Sequence, residues 1–200
     1  LLSRGLGDVY KRQVLNASMK GARTLSQAFF LTNNEEYLKL ARSAVTFVIN
    51  HQNKDGSWRY SNSKNGGWVD NYHTGYILDC LDDFYKISGD KNIKKNIDLG
   101  LSFYLDNFVT KDGVPKFYNH NTFPIDCTSA GQCILTLLRL GNEKLAMKVA
   151  QKTIEKMQKN DGSFKFRIFK YYSINTSFMR WSNAWMLAAL SYLIYNAKSK

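Results

Sequence analysis

Three short stretches decide the fold: QNKDGSW at Gln52–Trp58, TKDGVP at Thr110–Pro115 and QKNDGSF at Gln158–Phe164. Each centres on an Asp-Gly pair, which favours a tight turn because Asp bonds nearby backbone and Gly accepts a positive φ. An aromatic-rich polar stretch and then an apolar helix follow each of them. Self-similarity at a period of roughly 50 residues is typical of a repeat architecture. The sequence therefore predicts one supersecondary unit used three times.

Two kinds of helix alternate along these repeats. One kind, as at 143–158, has a single apolar stripe opposite a charged face. The other kind, at 71–87, 127–140 and 180–196, is apolar nearly all round and needs cover on every side. Short turns, most of them with Gly as the helix stop, join the helices into hairpins. The predicted helices are residues 16–30, 35–51, 71–87, 91–108, 127–140, 143–158 and 180–196.

Covered and half-covered helices that alternate fit an inner and an outer ring. The predicted fold is therefore all-α, an incomplete α/α toroid of helical hairpins. Its long connections gather at one end of the ring and hold the only β-strands, short ones at Trp58–Tyr60 and Phe164–Ile168, where apolar and polar residues alternate. An incomplete ring is expected to leave apolar surface uncovered, particularly on helix 16–30.

The start of the chain is excluded from this fold. The stretch DVYKRQ at Asp8–Gln13 resembles the translation of a sequencing-library adapter, and the chain opens on Leu1 rather than Met. We expect residues 1–13 to be an adapter-derived artefact. Residues 14–200 are expected to form one toroid domain, truncated at its N-terminal side.

Composition narrows the function classes. The net charge is +12, but the lysines are dispersed over helix faces, which favours solvated surface over a nucleic-acid partner. No apolar run is long enough to span a membrane. The three cysteines lack paired metal-site spacing, so we predict no metal, no cofactor and no disulfide framework. Thiols inside apolar helices favour a reducing compartment, and a cytoplasmic bacterial location is expected.

Candidate catalytic residues lie where inner helices begin, facing the long loops. A carboxylate at a helix N-terminus is held ionised by the helix dipole, which suits a base or a nucleophile. The predicted catalytic residues are Asp70, His73, Asp126 and Arg180. We expect their four side chains to point into one cleft. Because Asp70 and Asp126 lie at N-cap positions, helix capping alone is the alternative role for either aspartate.

The same loops and helix starts offer groups suited to a sugar. Aromatic rings present flat apolar faces for stacking, and amide and ammonium groups donate to hydroxyl oxygens. The predicted substrate-binding residues are Trp58, Tyr60, Trp68, Asn71, Lys116, Tyr118 and Asn183.

The repeats resemble known toroid families. QNKDGSW resembles the glutamine–tryptophan repeat of terpenoid cyclases, and its Asp-Gly-aromatic loop also resembles that of six-hairpin glycosidases and related sugar-active toroids. Residues 14–200 as a whole are similar to uncharacterised proteins encoded in bacterial polysaccharide-biosynthesis clusters. That likeness lies in the stretches NKDGSWRYSN, WVDNYHTGYILD, PKFYNHNTFPIDCTSAGQ and MRWSNAWM.

The resemblance to sugar-active toroids implies a glycan or oligosaccharide partner and acid–base chemistry at the sugar. Unsaturated glucuronyl hydrolases use two aspartates at the starts of neighbouring inner helices, which Asp70 and Asp126 match. In such a site Arg180 would hold a carboxylate. Toroidal polysaccharide lyases and related enzymes instead use an Asn, His, Tyr and Arg set, for which the candidates are Asn71, His73, Tyr60 or Tyr118, and Arg180.

Two rival functions stay open. A toroid resembling terpenoid cyclases or prenyltransferases would stabilise a cation with its aromatics. However, Asp126-Cys127-Thr128-Ser129 keeps one Asp of the cyclase motif and loses the rest, and a prenyltransferase zinc set is not apparent. A non-catalytic glycan-binding scaffold would use the carboxylates only as caps. The oligomeric state is left open.

Overall fold

A computed structural model of the chain describes residues 14–61, 63 and 65–198, and helices dominate that part. All seven predicted helices are confirmed there, with ends shifted by a few residues. The predicted adapter stretch at 1–13 lies outside the described residues. The helices are α1 Leu15–Thr32, α2 Glu35–Ile49, α3 Asn71–Ser88, α4 Lys94–Phe108, α5 Cys127–Arg139, α6 Glu143–Met157 and α7 Ala184–Lys198.

Short elements complete the described chain. A 3₁₀ helix at Lys91–Ile93 precedes α4, and a π-helical turn at Met179–Asn183 precedes α7. Three two-residue strands form a small antiparallel sheet in the order β1, β2, β3. The strands are β1 Ile125–Asp126, β2 Arg167–Ile168 and β3 Ser173–Ile174.

The three Asp-Gly turns fold in the same way, which confirms the repeat. In each turn the glycine N–H donates to the carbonyl oxygen three residues earlier, over 2.8 to 2.9 Å. The glycines are Gly56, Gly113 and Gly162, with φ of 93°, 85° and 83°. A side chain would strain the backbone there, so the sequence repeats Gly because the turn requires it.

The long loops return to inner helices in a repeated manner. The residue just before α1 pairs with its loop as Val14↔Ser61, and the residue before α3 pairs as Asp70↔Tyr118, both antiparallel. The residue before α5, Asp126, pairs with Arg167, and this pairing joins β1 to β2. The repeat thus places one residue of the following long loop opposite each of these helix starts.

One predicted strand is wrong. Residues 58–60 form no strand. The Tyr60 N–H instead makes a single bond within its own loop, to the Trp68 carbonyl oxygen at 2.8 Å. The predicted strand at 164–168 is realised in its last two residues as β2.

The chain divides into two compact units. The first holds the described residues from Val14 to Val69 together with Tyr76–Phe103. Within it α1 packs against α2. Trp58 is 1% exposed, and its Nε1 donates to the Val48 carbonyl oxygen at 3.0 Å. Gly100 lies so close that an added Cβ would come within 2.6 Å of the indole, so Trp58 is a core residue of this unit.

The second unit holds Asp70–Gly75 and the described residues from Tyr104 onward. Within it α5 packs against both α6 and α7, and every α5 residue from Ser129 to Leu138 is buried. At Gly131 an added Cβ would come within 2.9 Å of the Trp185 carbonyl oxygen. The prediction that helix 127–140 is covered all round is confirmed.

The corresponding prediction for helix 180–196 is wrong. In α7 only Met186 and Ala189 are buried, whereas Leu187 is 70% exposed and Tyr195 is 66% exposed. The helix packs mainly against α5, which covers one side of it. Apolar exposure was expected on helix 16–30, where the end of α1 does expose Phe30. No helix in the described ranges is long and apolar enough to cross a bilayer.

Replacing Trp58 tests its place in the core. Trp58→Ala removes a buried indole and leaves a cavity, so the free energy of unfolding should fall by about 3–5 kcal/mol. Trp68→Ala is the matched control because Trp68 is 39% exposed, and it should cost about 1 kcal/mol or less. Urea unfolding followed by circular dichroism measures both. Equal losses for the two variants would contradict the core placement.

Candidate functional site

Asp70 both caps α3 and orients a histidine. Its Oδ1 accepts the His73 N–H at 2.8 Å. The Nδ1 of His73 lies 2.9 and 2.7 Å from the two carboxylate oxygens. An ionised carboxylate can only accept, so Nδ1 carries the proton and Nε2 is the acceptor of the neutral ring. Asp70 is buried while the His73 side chain is 26% exposed, which makes Asp70 the fixed partner.

Asp126 caps α5 and binds an arginine. Its Oδ1 accepts the Ser129 N–H at 2.9 Å. Its Oδ2 accepts from Nε and Nη2 of Arg167 at 2.8 and 2.6 Å. Asp126 and Arg167 are directly opposite each other in β1 and β2, so the register of the sheet sets this ion pair. Burial raises the pKa of the Asp126 carboxyl, and the Arg167 guanidinium and the Ser129 N–H oppose that shift.

Two aromatic rings hold the guanidinium in place. The Cζ of Arg167 lies 4.9 Å from the ring centroid of Phe117 and 4.9 Å from that of Phe166. Cation–π contact on both rings, together with two N–H bonds to Asp126, leaves the side chain little rotational freedom.

His73, Asp126, Arg167 and the two rings beside the guanidinium line one cavity of about 260 Å³ in the second unit. Its polar lining comes from His73, Asp126, Thr128 and Arg167. Tyr72 and Trp185 pack edge to face at 5.2 Å and form part of an aromatic wall. The aromatic lining residues are Tyr72, Phe117, Phe166, Trp181 and Trp185. We call this cavity the histidine pocket.

The histidine pocket gathers two of the four predicted catalytic residues, His73 and Asp126. Asp70 lies behind His73 and reaches the pocket through it. Arg180 is not among the lining residues and its side chain is exposed. The prediction placed Arg180 in the first turn of an α-helix, but that turn is π-helical and α7 begins only at Ala184. Arg167 supplies the guanidinium of this site instead.

Asn71 does not line the pocket, and its side chain instead joins neighbouring parts of the fold. It is fully buried, and its Nδ2 donates to the Lys116 carbonyl oxygen at 2.9 Å. Its Oδ1 accepts the Tyr104 hydroxyl proton. Both ends of the amide therefore hold α3 to α4 and to the following loop.

The other predicted binding residues of this unit also hold loops. Lys116 donates through Nζ to the Asn119 carbonyl oxygen at 2.6 Å, and burial lowers the pKa of Lys116. Tyr118 pairs with Asp70 through its backbone. The Oδ1 of Asn183 accepts the Phe164 N–H at 2.9 Å. None of these three side chains lines the histidine pocket.

The remaining predicted binding residues belong to the first unit. Trp58 is in its core, which corrects its assignment as a sugar-stacking residue. Tyr60 and Trp68 stack on each other with centroids 4.5 Å apart and planes 12° apart. None of the three lines the histidine pocket.

The sequence places Arg167 in a long loop but did not indicate it as a site residue. The alternation around it indicated a strand, but the register that brings it to Asp126 is a long-range pairing. Trp185 was hidden because it lies in a helix that is apolar nearly all round. Within the described ranges, no group of three or more His, Cys, Asp or Glu side chains is arranged to hold a metal ion.

No protein-family model matches this chain, and no curated protein matches its sequence. Solved structures do match it. Cellobiose 2-epimerase from Bacillus thermoamylovorans is 13% identical with a TM-score of 0.79, and 94% of this chain covers 56% of that one. The GH76 α-mannanase of Bacteroides thetaiotaomicron is 12% identical with a TM-score of 0.71, covering 94% and 54%.

A family 88 glycosyl hydrolase from Bacteroides vulgatus is similar as well, at 12% identity and a TM-score of 0.67, covering 91% of this chain and 62% of that one. These proteins are six-hairpin glycosidase-like α/α toroids. The chain spans 54 to 62% of their lengths. Its fold is that of an α/α toroid of helical hairpins, as the repeats predicted.

Removing the Arg167 charge should make stability depend on pH. In Arg167→Gln the buried Asp126 carboxylate loses its counter-charge, so its folded-state pKa rises further above the unfolded value. The folded state then binds a proton more tightly than the unfolded state, so stability is retained at low pH and lost as pH rises through the raised pKa. At pH 8 we expect a loss of about 2–3 kcal/mol, the full cost of an unpaired buried charge reduced for the exposure of Arg167.

Urea unfolding at pH 5 and pH 8 measures this effect. The double variant Asp126→Asn/Arg167→Gln should recover most of the loss at pH 8, because no buried charge remains and Asn still caps a helix. Arg180→Gln, an exposed arginine in the same unit, should be unchanged. A loss that is equal at both pH values would contradict the ion-pair account.

Proposed function

We propose that this protein acts on or binds a glycan at the histidine pocket, with acid–base chemistry carried out by His73. One observation carries the proposal: a histidine held through Nδ1 by a buried carboxylate lies in a cavity with aromatic walls and an ion pair. Sugar rings combine apolar faces with many hydroxyl groups, and this lining offers partners for both. The cavity is smaller than the roughly 300–1,000 Å³ of sites for drug-sized ligands, which suits a single ring.

The residues of the pocket would have different roles in the reaction. His73 would take and return a proton through Nε2, as a general base and then a general acid. Asp70 would fix the tautomer and stabilise the imidazolium as it forms. Asp126 has both oxygens engaged by N–H donors, so its role would be to position Arg167. The proton-transfer role expected of Asp126 or Asp70 therefore moves to His73.

The comparisons support a carbohydrate ligand over an isoprenoid. The similar structures are named as an epimerase of cellobiose, a mannanase and a glycosyl hydrolase. A cyclase that guides a hydrocarbon cation needs an apolar cavity, whereas the Asp126–Arg167 pair lies in the wall of this one. The resemblance to proteins of bacterial polysaccharide clusters supports a role in polysaccharide metabolism.

The test separates catalysis from binding alone. The purified chain is incubated with cello-, manno- and uronate-containing oligosaccharides, and products are followed by mass spectrometry and NMR. Hydrolysis adds the mass of water to the fragments, elimination leaves an unsaturated end, and epimerisation changes no mass but shifts the NMR spectrum. His73→Gln should lower turnover by about 10²- to 10⁴-fold, the usual share of a general acid–base group. Affinity should change only a few-fold.

His51→Gln is the matched control, because His51 is also half-buried and its Nδ1 lies 2.7 Å from a backbone carbonyl oxygen. That variant should keep full turnover. Unchanged turnover in His73→Gln would reject the acid–base role. Binding without turnover in the wild-type protein would make the chain a glycan-binding module instead.

A further inference from the structure

The turn that joins β2 to β3 carries exposed aromatic rings. It consists of Phe169, Lys170, Tyr171 and Tyr172, which we call the β-hairpin tip. Tyr171 is 85% exposed and Tyr172 is 61% exposed. Within the described ranges no other large hydrophobic residue is as exposed as Tyr171. Adjacent exposed rings are typical of a binding surface, whereas apolar side chains exposed singly need no explanation.

Contacts within the β-hairpin tip hold its rings in place. The Phe169 N–H donates to the Tyr172 carbonyl oxygen at 2.8 Å. The rings of these two residues stack, with centroids 4.6 Å apart and planes 14° apart. Phe169 thus covers one face of the Tyr172 ring, and the exposure of Tyr172 leaves the rest of that ring open to solvent. A flat apolar face supported from behind is the surface on which a sugar ring stacks.

The residues at the turn itself are unusual for a tight hairpin. Two-residue hairpin loops favour Gly, Asn or Asp, because their commonest turn types need a positive φ. The loop here is Lys170-Tyr171, and neither residue has a positive φ. The Nζ of Lys170 lies 5.1 Å from the centroid of the Tyr171 ring. Side chains that break a local rule of this kind are expected at functional sites.

The β-hairpin tip adjoins the histidine pocket. The pairing Ile168↔Ser173 continues to Phe169 opposite Tyr172. Because alternate residues of a strand lie on the same face, Phe169 shares the face of Arg167, about 7 Å further along the strand. Arg167 lines the pocket. The stacked pair of rings therefore lies on the pocket side of the sheet, one short step beyond the guanidinium.

We infer that the β-hairpin tip is a second sugar-binding position, so that the ligand is an oligosaccharide that runs from the histidine pocket along the hairpin. This inference rests on the proposed function and names the size class of its ligand. The pocket suits a single ring, and Tyr172 would stack on a further ring of the same glycan. Exposed aromatics beside a lysine also occur on surfaces that bind membranes. Continuity with the pocket favours the glycan.

Chain length provides the first test. The probes are two neutral series, glucose to cellotetraose and mannose to mannotetraose, and NMR titration of the purified chain measures their affinities. In at least one series the tetrasaccharide should bind about tenfold more tightly than the monosaccharide, which is the effect of one aromatic stacking contact. A ligand held only in the pocket would gain little from the added units.

Matched variants locate the effect. Tyr172→Leu keeps an apolar contact with Phe169 but removes the flat ring, and it should weaken tetrasaccharide binding about tenfold while monosaccharide binding stays within about twofold. Tyr172→Phe keeps the ring and should retain tetrasaccharide affinity. Tyr195→Leu replaces another exposed tyrosine of the second unit and should change neither affinity. All these side chains are exposed, so each variant should fold normally, which circular dichroism checks.

The outcomes separate this inference from the proposed function. Monosaccharide binding that does not strengthen with chain length, or tetrasaccharide binding unchanged in Tyr172→Leu, would reject the second position and leave the glycan function standing. Equal weakening of both ligands in Tyr172→Leu would show that the tip only supports the pocket, which also rejects it. No binding of any sugar by the wild-type chain would reject both proposals.

Vesicles of phosphatidylcholine and phosphatidylglycerol test the membrane alternative by co-sedimentation. The inference predicts that Tyr172→Leu leaves any vesicle binding unchanged. Vesicle binding that is lost in Tyr172→Leu, while tetrasaccharide affinity stays the same, would assign the tip to a membrane and overturn the inference.

Discussion

The antiparallel pairing between Asp126 and Arg167 links a long loop, a helix start and the wall of the histidine pocket. It joins the long loop that follows α6 to the residue before α5. The Asp126 side chain also caps that helix and forms an ion pair in the wall of the histidine pocket. The same backbone pairing recurs between Asp70 and Tyr118, and before α1 at Val14. The repeat therefore supplies the same backbone pairing at the starts of α1, α3 and α5, while the side chains at the paired positions differ from one start to the next.

Capping and chemistry are compatible at these aspartates because a carboxylate has two oxygens. In Asp126 one oxygen accepts the first-turn N–H of α5 and the other accepts from Arg167. In Asp70 the capping oxygen and its neighbour both lie close to the imidazole of His73. The capping interpretation is confirmed for both residues, and the catalytic interpretation stays a prediction. What differs is the partner, a rigid guanidinium in one repeat and a titratable ring in the other.

Local sequence features predicted what depends on local physics. Helix periodicity placed all seven helices, and the Asp-Gly pairs placed three turns of one geometry. Long-range placement was harder. Arg180 lies in a π-helical turn outside the histidine pocket, which helix periodicity did not predict, and the burial of Trp58 against Gly100 is not visible in a loop motif. Arg167 was missed because its role depends on register across a sheet of two-residue strands, too short for a pattern to define.

Binding of a glycan at His73 can be observed directly. The chain has three histidines, so their ring Hε1 resonances can be assigned with three single substitutions. The resonances are then followed by NMR while an oligosaccharide that binds the protein is added. Because only His73 of these lines the pocket, its resonance should shift progressively and saturate with the binding isotherm, while those of His51 and His120 stay in place. Saturable binding that moves His51 or His120 and leaves His73 unchanged would contradict the claim.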